Sequence, residues 1–172
     1  MSETEKSIEA QNHIEIEGNL YRCKIRCVLE FRVGTLDLCF FYLLENGEIY
    51  FKQQRLSFSE FSSLFEKGKI TASPPEEGVL NIPDLMWAEF SNALFQDHNE
   101  DFLLEIQDEL SMLQGKPGAV ELCKQAFCIY QKEPTPDKKQ ALRVAYDNVP
   151  EHLRCWLGSF DIKDSEIRDA LK

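Results

Sequence analysis

Three strand signals follow one another without interruption between Tyr21 and Phe51, and no other stretch limits the fold so tightly. From Arg22 to Arg32 the side chains alternate. Cys23, Ile25, Cys27, Leu29 and Phe31 fall on one face, and Arg22, Lys24, Arg26, Glu30 and Arg32 on the other, interrupted by Val28. Successive strand side chains point to opposite faces, so this pattern predicts a half-buried strand with a basic outer surface. Gly34-Thr35 offers a reversal. Leu36 to Leu44 is nearly all apolar, as suits a central strand covered on both sides. Asn46-Gly47 is then a strong hairpin signal, because both residue types tolerate positive φ. Glu48 to Phe51 returns as a third strand of an antiparallel meander.

The flanks extend this core. Met1 to Asn12 is polar and acidic and reads as a disordered tail. His13 to Glu17 alternates ahead of a Gly18-Asn19 turn and predicts a short edge strand. Ser57-x-x-Glu60 is a capping box, and Phe58, Phe61, Leu64 and Phe65 recur at helical spacing up to a stop at Gly68. Short strands are expected near Lys69–Ser73 and Val79–Ile82, with an irregular or strand-like crossing over Leu85–Leu94.

From Asp97 the pattern turns helical. Phe102, Ile106, Leu110 and Leu113 form one stripe that ends at Gly115-Lys116-Pro117-Gly118. Ala119–Lys132 is a second helix, with Leu122, Cys123, Ala126, Phe127 and Tyr130 inward. Thr135-Pro136 caps a third that runs to Asp147. Helical turns follow over Pro150–Leu157, and a terminal helix over Asp164–Leu171. Strands first and helices second make an α+β chain. Residues 13–94 are its strand-rich half, and 95–172 a helical half expected to pack on the same core.

The C-terminal third resembles an uncharacterised bacterial protein family. The likeness rests on residues 138–168: a tyrosine helix at Tyr146, the Val149-Pro150-Glu151-His152 turn, the Trp156-Leu157-Gly158 step and the Asp161-x-Lys163-Asp164 helix start. It implies a bacterial origin and no mechanism.

Charge and cysteine content narrow the functional classes. A net charge of −11 works against non-specific nucleic-acid and anionic-membrane binding and favours a basic partner. No apolar run approaches the length of a membrane span. The amino-terminal segment lacks the features of an export signal, so a cytoplasmic protein with six reduced cysteines is expected. Cys23-x3-Cys27 on a strand is spread over ~13 Å, too far for one tetrahedral ion. Residues five apart on a helix, such as Cys123 and Cys128, do not share a face. The acids and His98 between Asp97 and Asp101 suit a helix start. No metal or other cofactor is expected, and neither a phosphate loop nor a hydrolase motif is present.

Two functional readings follow. The first is a non-enzymatic protein-interaction module: an adaptor, regulator or immunity-type inhibitor. It uses Arg22, Lys24 and Arg26 on one face and Glu105, Asp108 and Glu109 on another. The alternative is an enzyme or small-ligand-binding protein built on His152, Arg154, Asp161 and Lys163, with the histidine exchanging protons and the arginine holding an anion. It competes with a purely structural role for the same groups, as capping and ion-pair partners of the flanking helices.

Overall fold

A computed structural model describes residues 12–92, 98–158 and 164–172. Of the expected tail Met1–Asn12, residues 1–11 lie outside the described residues, as do the half-to-half border at residues 94–95 and the candidate site residues Asp161 and Lys163, whereas Asn12 belongs to a strand. The fold is α+β: an antiparallel meander leads, and helices follow. By contacts the chain divides into two compact units, Met1–Ala93 and Leu94–Lys172.

In the first unit the spine is the predicted hairpin. Strands β2 (Asn19–Arg32) and β3 (Thr35–Leu44) pair in one unbroken register from Cys23↔Leu44 to Arg32↔Thr35. Strands β1 (Asn12–Ile16) and β6 (Ile70–Thr71) both pair with β2. Strands β4 (Ile49–Phe51) and β7 (Glu77–Ile82) both pair with β3. Each of these last two carries an outer antiparallel neighbour, β5 (Gln54–Leu56) on β4 and β8 (Met86–Ser91) on β7. The β3–β7 pair is parallel, a departure from a pure meander. Its cause is the excursion through the helix and β6, which takes the chain to the β2 side before it returns to β3.

The register leaves the basic face of β2 only partly exposed. Arg26 lies opposite Phe41 and Lys24 opposite Leu43, and both of those apolar residues are completely buried. The face that holds Val28, Phe41, Leu43, Ile49 and Phe51 is the one the helix α1 (Phe58–Glu66) serves. Phe61 of α1 sits 4.8 Å from the Phe41 ring and 5.9 Å from Phe51. By contrast Ile25, Phe31 and Phe40 on the opposite face stay 43%, 47% and 57% exposed. The alternation of β2 is real, but neither face is covered along its whole length: Cys23, Leu36 and Leu44 are buried on the side the pattern predicts, and Val28, Phe41 and Leu43 on the other, because β3 is apolar on both faces.

Local signals act as expected at the turns, with small shifts. At the Asn46-Gly47 hairpin, Leu44 N–H donates to Glu48 O and Gly47 N–H donates to Leu44 O, so the loop is three residues long. Only Gly47 takes a positive φ (89°), the conformation glycine adopts without a Cβ clash. Helix α1 has both halves of its capping box. It closes with Gly68 (φ 62°) through Gly68 N–H to Phe65 O and Lys69 N–H to Leu64 O, a Schellman closure. The β4–β5 turn is unsignalled in the sequence: Lys52 and Gln53 both hold positive φ, 49° and 61°, although neither is glycine or asparagine.

The second unit contains α2 (Asn99–Leu113), α3 (Ala119–Lys132), α4 (Pro136–Asp147), a 3-10 helix (Glu151–Trp156) and α5 (Ser165–Leu171). Its central cluster is Ala119, Cys123, Leu142, Val149, Leu157, Ile167 and Leu171. Gly118, the N-cap of α3, has no side chain to satisfy the first helical amides. Asp108 from α2 supplies the missing acceptor, taking the N–H of Ala119 on its Oδ1. Thr135 caps α4 as predicted, accepting from Lys138 N–H.

Candidate interaction surface

The basic triplet is drawn into the protein's own electrostatics. Arg22 Nε lies 3.7 Å from Glu45 Oε2, and the Arg22 backbone N–H donates to Glu45 Oε1. Lys24 is exposed and Arg26 is half-buried, and neither is without a partner. Farther along β2, Arg32 pairs with Glu30 at 2.9 Å and Asp37 at 3.4 Å, while Lys52 also pairs with Glu30.

The acidic triplet does not form one solvated face either. Glu109 is buried, with 8% of its surface exposed. Asp108 is committed to the start of α3. Glu105 is mostly covered, and its Oε1 lies 3.4 Å from Nδ1 of His152. The α2 stripe is thus wider than the sequence pattern of Phe102, Ile106 and Leu110 showed, and includes acids.

Of the groups predicted around His152, the two that are described, His152 and Arg154, face different partners. The imidazole is 56% exposed and faces Glu105. Arg154 turns the other way: its Nε donates to Val149 O, and its guanidinium lies 4.8 Å from the Tyr146 ring centre. Tyr146 donates its hydroxyl to Asp164 Oδ2 at 2.6 Å, and Asp164 pairs with Arg168 at 3.3 Å. Burial, and then the Asp164 carboxylate, push the Tyr146 hydroxyl up to about 12. Arg154 and Asp164 therefore tie the end of α4 to the following turn and α5.

All six cysteines are free thiols. Cys23 and Cys123 are buried, whereas Cys27, Cys128 and Cys155 are exposed. Burial raises Cys123 to about 11, so its thiol stays protonated. Among the described residues no group of three His, Cys, Asp or Glu side chains is placed to hold a metal ion.

Two features escape sequence reading. In the helical unit a groove of about 290 Å³ is lined by Leu104, Asp108, Ala119, Leu122 and Val144. Leu122, expected inward, is 47% exposed there. In the strand unit the outer hairpin β7–β8 turns through Pro83-Asp84, where Asp84 has φ 61° and Leu85 N–H donates to Ile82 O. Leu85, Met86 and Trp87 are 75%, 51% and 66% exposed. Among the described residues β8 pairs with β7 alone, which leaves its other edge of N–H and C=O groups open. The apolar Leu85–Phe90 run is visible in the sequence, but its position at a sheet edge is not.

Comparison with known families covers most of the chain. Residues 37–117 match a family described as a domain of unknown function (DUF7638), and residues 118–172 match a second, a domain of unknown function (DUF7639). Together the two matches span residues 37–172, each as a similarity to a domain of unknown function. No curated protein and no solved structure matches it. No helix among the described residues is long and apolar enough to cross a membrane.

Proposed function

We propose that the chain is a non-enzymatic protein-interaction module of the bacterial cytoplasm, serving as an adaptor, regulator or inhibitor, and that it makes contact through the β7–β8 hairpin. The observation that carries this reading is an open strand edge beside exposed Leu85, Met86 and Trp87. Tryptophan and methionine are enriched where proteins meet, and an open edge offers backbone hydrogen bonds to an added strand. The free thiols support a reducing compartment. The charged triplets support binding less well, since they are engaged within the chain.

The test compares affinity purification of the tagged chain from its host with that of Met86→Ser/Trp87→Ser. A stoichiometric partner held by the wild type and lost by the double variant is expected. Equal recovery by both would refute the hairpin as the contact surface. An enzymatic or ligand-binding role around His152 is less supported, because His152 and Arg154 face different partners.

A further inference from the structure

Resting on that reading of the hairpin, we propose that the occupant of the β8 edge is a second copy of this chain. The two copies add antiparallel through β8 about a twofold axis at Ala88.

Sheet edges are usually protected by charge, proline or extreme shortness. Strand β6 spans two residues, β5 spans three and carries Arg55, and the edge strand β1 carries His13 and Glu15. Strand β8 reads Met86-Trp-Ala-Glu-Phe-Ser91, with one ionisable residue and no proline. Its unpaired backbone groups are satisfied by an extended strand, and two copies related by a dyad supply one another.

The sequence of β8 then selects a register. A dyad normal to the sheet joins like faces, so only residues on the same side of the strand stand opposite each other. Trp87 and Glu89 share one side, and Met86, Ala88 and Phe90 the other. Two such registers use most of the strand. One is centred on Glu89 and sets two carboxylates directly opposite, which is unfavourable. The other is centred on Ala88. It places small side chains on the axis, Met86 opposite the second copy's Phe90, and Trp87 opposite the second copy's Glu89. The Phe90 ring leans over Gly78 of its own β7, so the favourable pair is the indole N–H beside a carboxylate, and symmetry makes it twice. The register is self-complementary.

Charge sets the salt dependence. Each copy carries −11, so two copies repel at long range. Salt screens that repulsion over a Debye length of about 8 Å at physiological strength, while the apolar and backbone contacts at the edge persist. Association tightens as salt rises, the opposite of binding through opposed charges.

Sedimentation equilibrium of the full chain in reducing buffer, at about 0.05 and 0.5 M sodium chloride, tests this. The expected result is a monomer–dimer equilibrium that is tighter in the higher salt. Ala88→Lys, which sets two ammonium groups on the axis, should weaken it about a hundredfold with an unchanged circular dichroism spectrum. If that variant fails to fold, hydrogen exchange of the wild type gives the answer instead. Concentration-dependent protection should then appear at Met86–Phe90. A dimer indifferent to Ala88→Lys, or protection confined to other segments, overturns the proposal. So does a wild type that stays monomeric in both salts. If such a monomer still captures another protein through Trp87, only the second copy is excluded. If capture is also indifferent to Met86→Ser/Trp87→Ser, the hairpin reading falls with it.

Discussion

Replacing Asp108 measures how firmly α2 is fastened to the helices that follow it. Its Oδ1 accepts the N–H of Ala119, the first residue of α3, whose own N-cap is Gly118. A hydrogen bond to a charged acceptor contributes about 1.5–3 kcal/mol, and an acid at a helix N-terminus adds about 0.3–1 kcal/mol. The groove beside Asp108 admits water to the vacated amide, which places the loss for Asp108→Ala near the lower end, at about 1.5–2 kcal/mol. Asp108→Asn keeps an acceptor oxygen and loses only the charge, so about half of that loss is expected. Gly118→Ala should act through the same contact. A Cβ there would stand 3.3 Å from Asp108 Oδ1 and 3.2 Å from Met112 Sδ, pushing the carboxylate off the amide. Urea denaturation followed by helical circular dichroism reads all three. An Asp108→Ala protein as stable as the wild type would refute the cap. An Asp108→Asn protein as damaged as Asp108→Ala would refute the assignment of the bond to the oxygen.

Four further outcomes follow from other parts of the fold. Phe61→Ala removes the ring between Phe41, Phe51 and Phe65 and should cost about 3–5 kcal/mol in a denaturant titration, with a loss below about 1 kcal/mol counting against the aromatic core. Gln53→Gly relieves a left-handed backbone at an exposed turn and should stabilise by about 0.5–1 kcal/mol, whereas destabilisation would contradict the φ of 61°. Cys123 and Tyr146 are both raised by burial, to about 11 and about 12, so their protonated forms favour the folded state. That contribution is complete below the unfolded values near 9 and 10 and fades as pH climbs through 11 and 12. A stability profile rising over this range would refute it. Thiol reagents at neutral pH should modify Cys27, Cys128 and Cys155 well before Cys123.

The sequence makes local structure legible wherever a residue acts through its immediate neighbours. Ser57 and Glu60, Gly68, Thr135 with Pro136, and the Gly115 break all mark helix ends that the fold uses. It is less informative where a distant segment makes the choice. The β2 alternation is real, yet the face that carries Lys24 and Arg26 is covered in part as well, because α1 reaches Phe41, and the intrinsic pattern of β2 carries no trace of that. Lys52-Gln53 forms a turn against local preference, because β4 and β5 are held on either side by Phe51↔Gln54 and Ile49↔Leu56. The charged triplets read as surfaces because their partners, Glu45 for Arg22 and Ala119 for Asp108, lie elsewhere in the chain.

The border between the two family matches shows the same rule at a larger scale. It falls between Pro117 and Gly118, inside the second compact unit and not between Ala93 and Leu94. Asp108 lies on one side of that border and the amide it caps on the other. Helix α3 begins with a glycine that offers no side-chain acceptor, so the first turn of one matched region is completed by a carboxylate from the other. The Cβ-free approach at Gly118 belongs to that contact as well. A fragment beginning at Gly118 would therefore lose the cap along with α2. It should be less stable than one beginning near Leu94, by at least the cost of Asp108→Ala, and equal stability of the two would show that the border is physical after all.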